Sequence, residues 1–438
     1  MRTQQKHSLE NSKEFKQNLL SWAQQFNDIL WLDSNSEHFK THQNYATYDA
    51  ILAVDAFTAI QTDYFDAFDK LKEYYTTTKD WIFGYLTYDL KNDTEALTSN
   101  NDDRLEFPDL YFFQPKKLFL IKGNTVETLY LKAVDNELDE DLLQIRNIES
   151  KALGKSKNDI PPKIKLKTHK EEYFAKVRTM QSHIYRGDIY EANFCQEFYA
   201  EDTTIMPLDT YNKLNTISNA PFASFLKLGR HFLLSASPER YLKKIGSKII
   251  SQPIKGTAKR DQDQIMDSIF KNDLVSDEKE RSENIMIVDL VRNDLSHTAI
   301  KGSVQVQELC KIYSFDQVHH MISTVISEVK STTHPIDILK TTFPMGSMTG
   351  VPKISAMRII ETLENTKRGL YSGSVGYIAP TGDFDFNVVI RSILYNEAKQ
   401  YVSYSVGGAI TAKSNPLKEY EECLVKAKAM REVLEGHY

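Results

Sequence analysis

Short runs of aromatic and β-branched residues recur along this chain, and they alternate irregularly with segments of helical periodicity. Two such runs, 81–86 and 118–121, lie in the first part of the chain, and three more lie later, at 232–235, 248–254 and 401–406. Runs of this composition are typical of β-strands. Because strands and helices do not follow a strict β-α-β order, the pattern predicts a mixed α+β fold and not a doubly wound parallel sheet.

The helices have their own signals. Thr168 is a potential N-cap residue, and it precedes apolar residues at the spacing of one helical face, namely Tyr173, Val177, Met180 and Ile184. Asn415 followed by Pro416 is a helix-start signal. Further helices are predicted over residues 277–293, 351–364 and 416–434.

The chain of 438 residues is long enough for two or three domains, at about 150 residues each. The segment Lys151–Lys170 contains seven lysines, Gly154 and the pair Pro161-Pro162, with little apolar content. This composition predicts an exposed linker, and a basic docking patch is the alternative. We therefore expect a β-rich N-terminal region at 1–165 that packs on a catalytic domain at 166–438.

Charge and cysteine content restrict the partners and the compartment. The chain has 54 Lys and Arg against 60 Asp and Glu, a formal charge of −6, which gives no electrostatic reason to expect nucleic acid or an anionic membrane as a partner. Three widely spaced cysteines fit neither a disulfide framework nor a Cys-rich zinc site, and a polar N-terminus shows no targeting segment. No apolar stretch is long enough to span a membrane. We expect a cytoplasmic protein.

A phosphate-binding loop is the first motif to test, because Gly346–Lys353 resembles one superficially. Only three residues separate its two glycines, and Pro352 removes a backbone donor, so the amides cannot converge on phosphates as they do in such a loop. Nucleotide binding at this segment is not expected.

Several polar residues each have a structural explanation as well as a functional one. Lys255 could be a solvated charge at the end of a strand, and Glu239 a surface partner of Arg240. Glu283 precedes the apolar run 285–288, and a carboxylate beside such a run needs a partner. The C-terminal helix carries Glu419, Glu422 and Lys426 on one face, which could be an exposed, salt-bridged surface.

Glycines are harder to explain structurally. Gly373, Gly376, Gly407 and Gly408 lie in or beside predicted strands, where glycine weakens packing unless another group must approach the backbone closely.

Taken together and in order, these segments resemble the chorismate-utilising enzymes, which include anthranilate, aminodeoxychorismate, isochorismate and salicylate synthases. The resemblance spans about residues 170–438. Its marks are Gly187–Asn193, Ser237–Arg240, Pro253–Thr257, Glu283–Asp294, Val318–His320, Gly346–Lys353, Gly369–Gly373, Ile390–Ser392 and Glu419–Lys426. It implies a large antiparallel β-sandwich flanked by helices, with the active site in the later part of the chain.

Within this family, Lys255 favours one activity. The sequence Pro-Ile-Lys-Gly-Thr resembles aminodeoxychorismate synthase component I, whereas anthranilate synthases carry alanine at the lysine position. Isochorismate and salicylate synthases place a water-activating lysine where this chain has Glu191, which argues against attack by water. The reaction implied is chorismate plus ammonia to 4-amino-4-deoxychorismate. Anthranilate synthase component I is one alternative, and a non-catalytic chorismate-binding or scaffolding subunit is another.

The resemblance also implies roles for individual residues. Lys255 would attack the ring, Glu239 would donate a proton to the departing hydroxyl, and His320 corresponds to an active-site histidine that could orient other groups. Glu283 and Glu422 would bind Mg²⁺, a hard cation that prefers oxygen ligands. The substrate would be bound by Thr257, Tyr371, Arg391, Gly407, Gly408 and Lys426.

Ammonia must come from outside this chain. Cys195 lies in Asn-Phe-Cys-Gln and not in the Gly-x-Cys-x-Gly turn of a glutamine amidotransferase, so we expect a separate glutaminase subunit as partner. Ala409 and Lys413 depart from the family pattern, which has glycine and aspartate there. The first 165 residues are less diagnostic. Asp28–Ser34 resembles only loosely a segment that forms an amino-acid effector pocket in some relatives.

Overall fold

The computed structural model of the chain describes residues 1–38, 45–148, 161–315 and 318–436. Its strands are β1 (Arg2–Ser8), β2 (Asp28–Asp33), β3 (Ala50–Thr62), β4 (Ile82–Leu86), β5 (Leu110–Lys122), β6 (Thr125–Leu131), β7 (Lys165–Leu166), β8 (Glu191–Ala200), β9 (Phe222–Leu228), β10 (His231–Ser237), β11 (Arg240–Ile245), β12 (Lys248–Gln252), β13 (Ile254–Lys259), β14 (Gln305–Ser314), β15 (Val318–Glu328), β16 (Gly350–Val351), β17 (Ser374–Ile378), β18 (Phe384–Asn387), β19 (Ser392–Asn396) and β20 (Tyr401–Ile410).

The helices are α1 (Ser12–Ala23), α2 (Ala67–Thr78), α3 (Lys91–Thr94), α4 (Leu138–Arg146), α5 (Lys170–Arg186), α6 (Pro207–Ser218), α7 (Gln264–Ser276), α8 (Glu278–Ser296), α9 (Pro335–Thr342), α10 (Lys353–Leu363) and α11 (Pro416–Glu435). Short 3₁₀ helices lie at Ser36–His38, Tyr88–Leu90, Asp135–Glu137 and Gly346–Met348.

Two layers of antiparallel strands are joined at the long strands β3 and β5. One edge of β5 pairs with β3, while its other edge pairs first with β4 and then with β6. From β3 one layer continues through β2, β9, β10, β19, β20 and β8. From β4 the other layer continues through β17, β18, β11, β12 and β15, which also pairs with β13 and β14. The predicted α+β class and antiparallel sandwich are confirmed.

Strand alternation separates two cores. Ile29 and Trp31 of β2 pack under the helices that cover one layer, whereas Leu30 points between the layers, where it joins the same cluster as Leu242 and Phe386. This follows from the two-residue period of a strand, because both faces of β2 are covered and both must be apolar.

The predicted helices are found, with ends that differ from the predicted ones by up to three residues and with one wrong N-cap. Helix α5 buries Tyr173, Val177 and Met180 as expected, but its N-cap residue is His169, not Thr168. Thr168 is instead buried and accepts a hydrogen bond from the Asn365 amide. Helix α11 begins as predicted, because the Asn415 side chain accepts hydrogen bonds from the backbone amides of the first turn.

Residues 149–160, which include the first half of the predicted linker, lie outside the described residues. After them, Ile164 and Thr168 are buried and β7 pairs with β8, so the exposed segment does not extend to Lys170 as predicted. Strands from before and after residue 165 pair directly, β2 with β9 and β4 with β17. The division at residue 165 stays a prediction. Among the described residues, no helix has the length and apolarity that crossing a membrane requires.

Candidate active site

A cavity of about 1450 Å³, its open mouth included, lies where β13, β15 and β20 meet helices α8 and α11. All eleven residues that the sequence predicts for the site line it: Glu239, Lys255, Thr257, Glu283, His320, Tyr371, Arg391, Gly407, Gly408, Glu422 and Lys426. The fold thus brings together side chains that are far apart in the sequence.

Lys255 lies in the wall of the cavity and is not a solvated surface charge. Its Nζ donates a hydrogen bond to Glu191 Oε1 at 3.1 Å, and its side chain is only 11% exposed. Burial by itself would lower the pKa of Lys255, but Glu191, Glu283 and Glu239 outweigh burial and the net direction is upward. Lys255 is therefore held as an ammonium ion.

Glu239 is buried between β10 and β11 and is not a surface partner of Arg240. Arg240 pairs instead with Asp385 at 2.9 Å. Burial raises the pKa of Glu239 to about 7, against the smaller effects of a hydrogen bond from Ser347 and the charge of Lys255. A carboxyl group in this condition can hold a proton near neutral pH and release it, as a general acid must.

His320 and Thr257 face the cavity from neighbouring strands. The two residues are paired in the β13–β15 ladder, and Thr257 Oγ1 lies 2.9 Å from His320 Nδ1. The imidazole ring also packs edge-on against Phe315, with ring centroids 5.2 Å apart. These contacts fix the orientation of His320.

Tyr371 and Arg391 form the part of the wall that could bind an anion. Burial raises the pKa of Tyr371 well above its usual value, so the phenol stays a neutral hydrogen-bond donor. Arg391 donates to the backbone oxygen of Lys426 at 3.0 Å and has a backbone φ of +52°. A non-glycine residue in this left-handed region is strained, and such strain is concentrated at functional sites.

The two strand glycines serve different purposes. A Cβ at Gly407 would lie 2.5 Å from Cys195 Sγ, so this glycine is required by the close approach of β8. A Cβ at Gly408 would instead lie 3.5 to 3.9 Å from the charged ends of Glu419, Lys426 and Glu422. Gly408 therefore borders the charged part of the cavity.

The carboxylates of α8 and α11 face two lysines. Lys279 Nζ lies 3.7 Å from Glu283 Oε1 and 3.2 Å from Glu419 Oε1, and Lys426 Nζ lies 2.6 Å from Glu422 Oε1. Burial is the main cause that raises the pKa of Glu283 to about 7, although Lys255 and Lys279 oppose it. For Glu422 burial acts upward too, but Lys426 and Lys279 reverse it and the pKa is lowered.

The donor chemistry of Glu283 and Glu422 suits Mg²⁺. Both offer carboxylate oxygens, and the buried Glu283 Oε1 has no hydrogen-bond partner in the described part of the chain. Within those same residues no three His, Cys, Asp or Glu side chains are grouped to hold a metal. Mg²⁺ commonly uses one or two carboxylates and takes its other ligands from water and substrate, so two protein ligands are compatible with it.

The sequence did not predict two sets of ion pairs at this site. Lys255 pairs with Glu191, and Lys279 pairs with Glu283 and Glu419. Glu191 begins β8 and is 1% exposed, and a carboxylate at the start of an apolar strand could have been recognised as needing a cationic partner. Lys279 precedes Glu283 by four residues, which is a helical pairing distance. Of the two departures from the family pattern, Ala409 lines the cavity and Lys413 is exposed.

A second cavity, of about 890 Å³, lies between the layers. Leu32, Asp33 and Ser34 line it together with Arg240 and Asp385, and Pro238 and Ile254 line both cavities. The segment that resembles an effector site thus borders a cavity next to the first one.

Comparison with known proteins identifies the family to which the chain belongs. It matches the chorismate binding enzyme family over residues 14–432. It is 33% identical to anthranilate synthase component 1 of Thermus thermophilus, over 81% of this chain and 77% of that one. It is 38% identical to aminodeoxychorismate synthase component 1 of Escherichia coli, over 61% of this chain and 58% of that one.

Solved structures agree on the fold. Anthranilate synthase component I of Streptococcus pneumoniae superposes with a TM-score of 0.78 at 26% identity, covering 90% of this chain and 96% of that one. The menaquinone-specific isochorismate synthase of Escherichia coli superposes with a TM-score of 0.75 at 16% identity, covering 99% and 94%. The chain belongs to the chorismate binding enzyme family and is an enzyme that acts on chorismate.

Proposed function

We propose that this chain is the chorismate-converting component of an aminodeoxychorismate synthase, which makes 4-amino-4-deoxychorismate from chorismate and ammonia. The observation that carries the proposal is Lys255, a buried primary amine in the cavity wall, close to a carboxyl group that can hold a proton. Relatives named aminodeoxychorismate synthase component 1 support it.

Chorismate is a dianion, and the cavity offers cations and donors for it. Arg391 and Tyr371 suit a planar carboxylate, because a guanidinium fork and a neutral phenol both donate hydrogen bonds. Lys426 adds positive charge near Gly407 and Gly408, whose backbone borders the cavity. Bound by Glu283 and Glu422, Mg²⁺ would supply charge neutralisation and Lewis acidity at the ring carboxylate.

The chemistry requires a nucleophile and an acid. The neutral amine of Lys255 attacks ring carbon C2, the ring double bonds shift, and the C4 hydroxyl leaves as water with the proton of Glu239. Ammonia then bonds to C4, the double bonds shift back, and the C2–N bond to Lys255 breaks. The new C4 ammonium group loses its extra proton to the Glu239 carboxylate, which restores the acid. His320, held by Thr257, orients groups beside the ring.

The alternative within the family is anthranilate synthase component I, and it is favoured by the longer alignments. Relatives of that name match 81% of this chain, whereas those named aminodeoxychorismate synthase match about 60%. The alternative does not use a lysine nucleophile, and it predicts a fluorescent aromatic product.

Mass identification of the product decides between these activities. Purified chain is incubated with chorismate, Mg²⁺ and an ammonium salt, and 4-amino-4-deoxychorismate is the expected product. Anthranilate would show that the alternative is correct. If chorismate were recovered unchanged, the proposal would be wrong and a non-catalytic role in chorismate binding would be favoured.

A further inference from the structure

Lys255 has one direct ionic partner, and that partner has no assigned role. Among the described residues, only Glu191 has a carboxylate within hydrogen-bonding distance of Lys255 Nζ, at 3.1 Å. Glu191 lies at the start of β8, is 1% exposed, and does not line the cavity itself. Its second oxygen, Oε2, is buried with no hydrogen-bond partner in the described residues.

The proposed reaction needs a neutral lysine, and the surroundings favour the charged one. An ordinary lysine has a pKa of about 10.4, so at pH 7 almost all of it is charged. Carboxylates face Lys255 from several elements and stabilise its charged form further. They are Glu191 on β8, Glu239 between β10 and β11, Glu280 and Glu283 on α8, and Glu422 on α11. A proton acceptor close to Nζ would remove the need to send the proton to bulk water.

The other carboxylates are less suited to accept this proton. Glu239 has to arrive at the reaction protonated, because it is the proton donor to the leaving hydroxyl. Glu283 is needed as a metal ligand, and it has no hydrogen bond to Lys255. Glu191 is in contact with Nζ, and its Oε2 has capacity left.

We infer that Glu191 is the internal base of this site, which takes a proton from Lys255 before the attack on C2 and returns it when the lysine leaves. This inference rests on the proposed lysine mechanism. In the first step an N–H bond of Lys255 breaks and an O–H bond of Glu191 forms, so that the ion pair becomes a neutral pair. In the last step the released amine regains the proton, and no further reactant is consumed.

A second reading of the same contact makes the opposite prediction. If Glu191 were only a counter-ion, it would keep Lys255 charged and slow the reaction. Removing its charge would then free the amine and raise the rate. The sign of the change in kcat therefore separates the two roles.

The experiment compares the wild-type chain with Glu191→Gln, which has the same shape but no charge. The concentration of free NH₃ is held constant while pH is raised from neutral to alkaline. In Glu191→Gln we expect kcat at neutral pH to fall about 100-fold, the lower end of what a positioned base contributes. It should then recover in proportion to hydroxide concentration, because Lys255 now loses its proton to bulk water. KM for chorismate should not change, since Glu191 does not line the cavity.

Glu197→Gln is the matched control. Glu197 lies six residues further along β8, is also buried, and its carboxylate accepts a hydrogen bond from Tyr401 at 3.0 Å, away from the cavity. We expect its kcat and pH profile to equal those of the wild type. Glu191→Asp keeps the charge on a shorter side chain and should retain part of kcat with the wild-type pH profile, and it serves as the test if Glu191→Gln does not fold.

The results for the base and for the proposed function can be told apart. A wild-type kcat or a higher one in Glu191→Gln, or a pH profile in Glu191→Asp that follows hydroxide concentration, would overturn the role of Glu191 while 4-amino-4-deoxychorismate was still formed. If the wild type formed another product, the proposed function itself would fail, whatever the variants did.

Discussion

Under the proposed function, Lys255 is the residue that distinguishes this reaction from those of the relatives, so its role can be tested by substitution. Its side chain is buried in the cavity wall, whereas the groups suited to bind chorismate belong to other residues. Lys255→Ala should therefore bind chorismate but lose formation of 4-amino-4-deoxychorismate by orders of magnitude. Binding is measured by calorimetry and the product by mass spectrometry.

Lys255→Arg separates covalent from electrostatic roles. Arginine keeps the charge, but its guanidinium cannot be deprotonated to a nucleophile. We expect no recovery of activity. If Lys255→Arg made the product at near the wild-type rate, Lys255 would be a charged clamp and the covalent mechanism would fail.

Glu239 should destabilise the folded chain at neutral and alkaline pH. Its pKa is about 7 in the fold against an ordinary value of 4.5, so the unfolded chain loses this proton first as pH rises. Between about pH 4.5 and about pH 7 the free energy of unfolding therefore falls, by an amount of the order of 3 kcal/mol, and it stays reduced above that window.

A glutamine in place of Glu239 cannot ionise. Glu239→Gln should unfold at higher urea concentration than the wild type above pH 7, show no advantage below about pH 4, and lose turnover because the proton donor is gone. Equal stability of the two proteins at alkaline pH would show that Glu239 does not carry the raised pKa.

At the scale of elements, helices α8 and α11 carry the proposed metal ligands. Glu283→Gln and Glu422→Gln should each reduce turnover at least about 100-fold and weaken Mg²⁺ binding in calorimetry, because each removes one anionic ligand. Chelation by EDTA should have the same effect on the wild type. Glu432→Gln, on α11 but outside the cavity, is the control. Undiminished activity in EDTA would contradict the Mg²⁺ proposal.

Lys279 should compete with Mg²⁺ for the carboxylate of Glu283. Its ammonium contacts Glu283 and Glu419 together, so a divalent cation bound by Glu283 has to displace or repel it. We expect Lys279→Met to bind Mg²⁺ several-fold more tightly than the wild type in calorimetry. The control is Lys428→Met, which removes an exposed lysine that pairs with Glu432 on α11. Weaker Mg²⁺ binding in Lys279→Met would mean that the lysine supports the site.

The difference between what the sequence predicted and what it missed follows from distance along the chain. The cap of α11 was predictable because Asn415 accepts hydrogen bonds from the amides of Leu417 and Lys418, only two and three residues further on. That the predicted site residues line one cavity could be expected, since their motifs resemble those of a known family, while their roles stay a prediction. The pairing of Glu191 with Lys255 was not predictable, because 64 residues separate them and their contact depends on how β8, β13 and β16 are placed. His169 replaced Thr168 as the cap because Thr168 is buried against Asn365.

At the scale of the whole molecule, strands from the first part of the chain pair with strands from the later part, which carries the residues of the cavity. Strands β4 and β17 join the first part of the chain to the segment that follows Tyr371, and β2 joins it to β9 in the other layer. The cavity adjoins a second one through Pro238 and Ile254, so the catalytic wall and the space between the layers share residues.

The source of the ammonia has to be considered for the whole molecule, because any of its three cysteines could in principle hydrolyse glutamine. Cys195, Cys310 and Cys423 are all buried, and burial raises the pKa of each thiol, to about 12 for Cys195. An activated thiolate needs the opposite environment, so none of these cysteines is suited to hydrolyse glutamine. We expect the purified chain to use ammonium, faster at alkaline pH where more NH₃ is free, and to use glutamine only after a glutaminase subunit is added. Formation of product and glutamate from glutamine by the chain alone would contradict this prediction, because it would require an amide-cleaving nucleophile other than these three thiols.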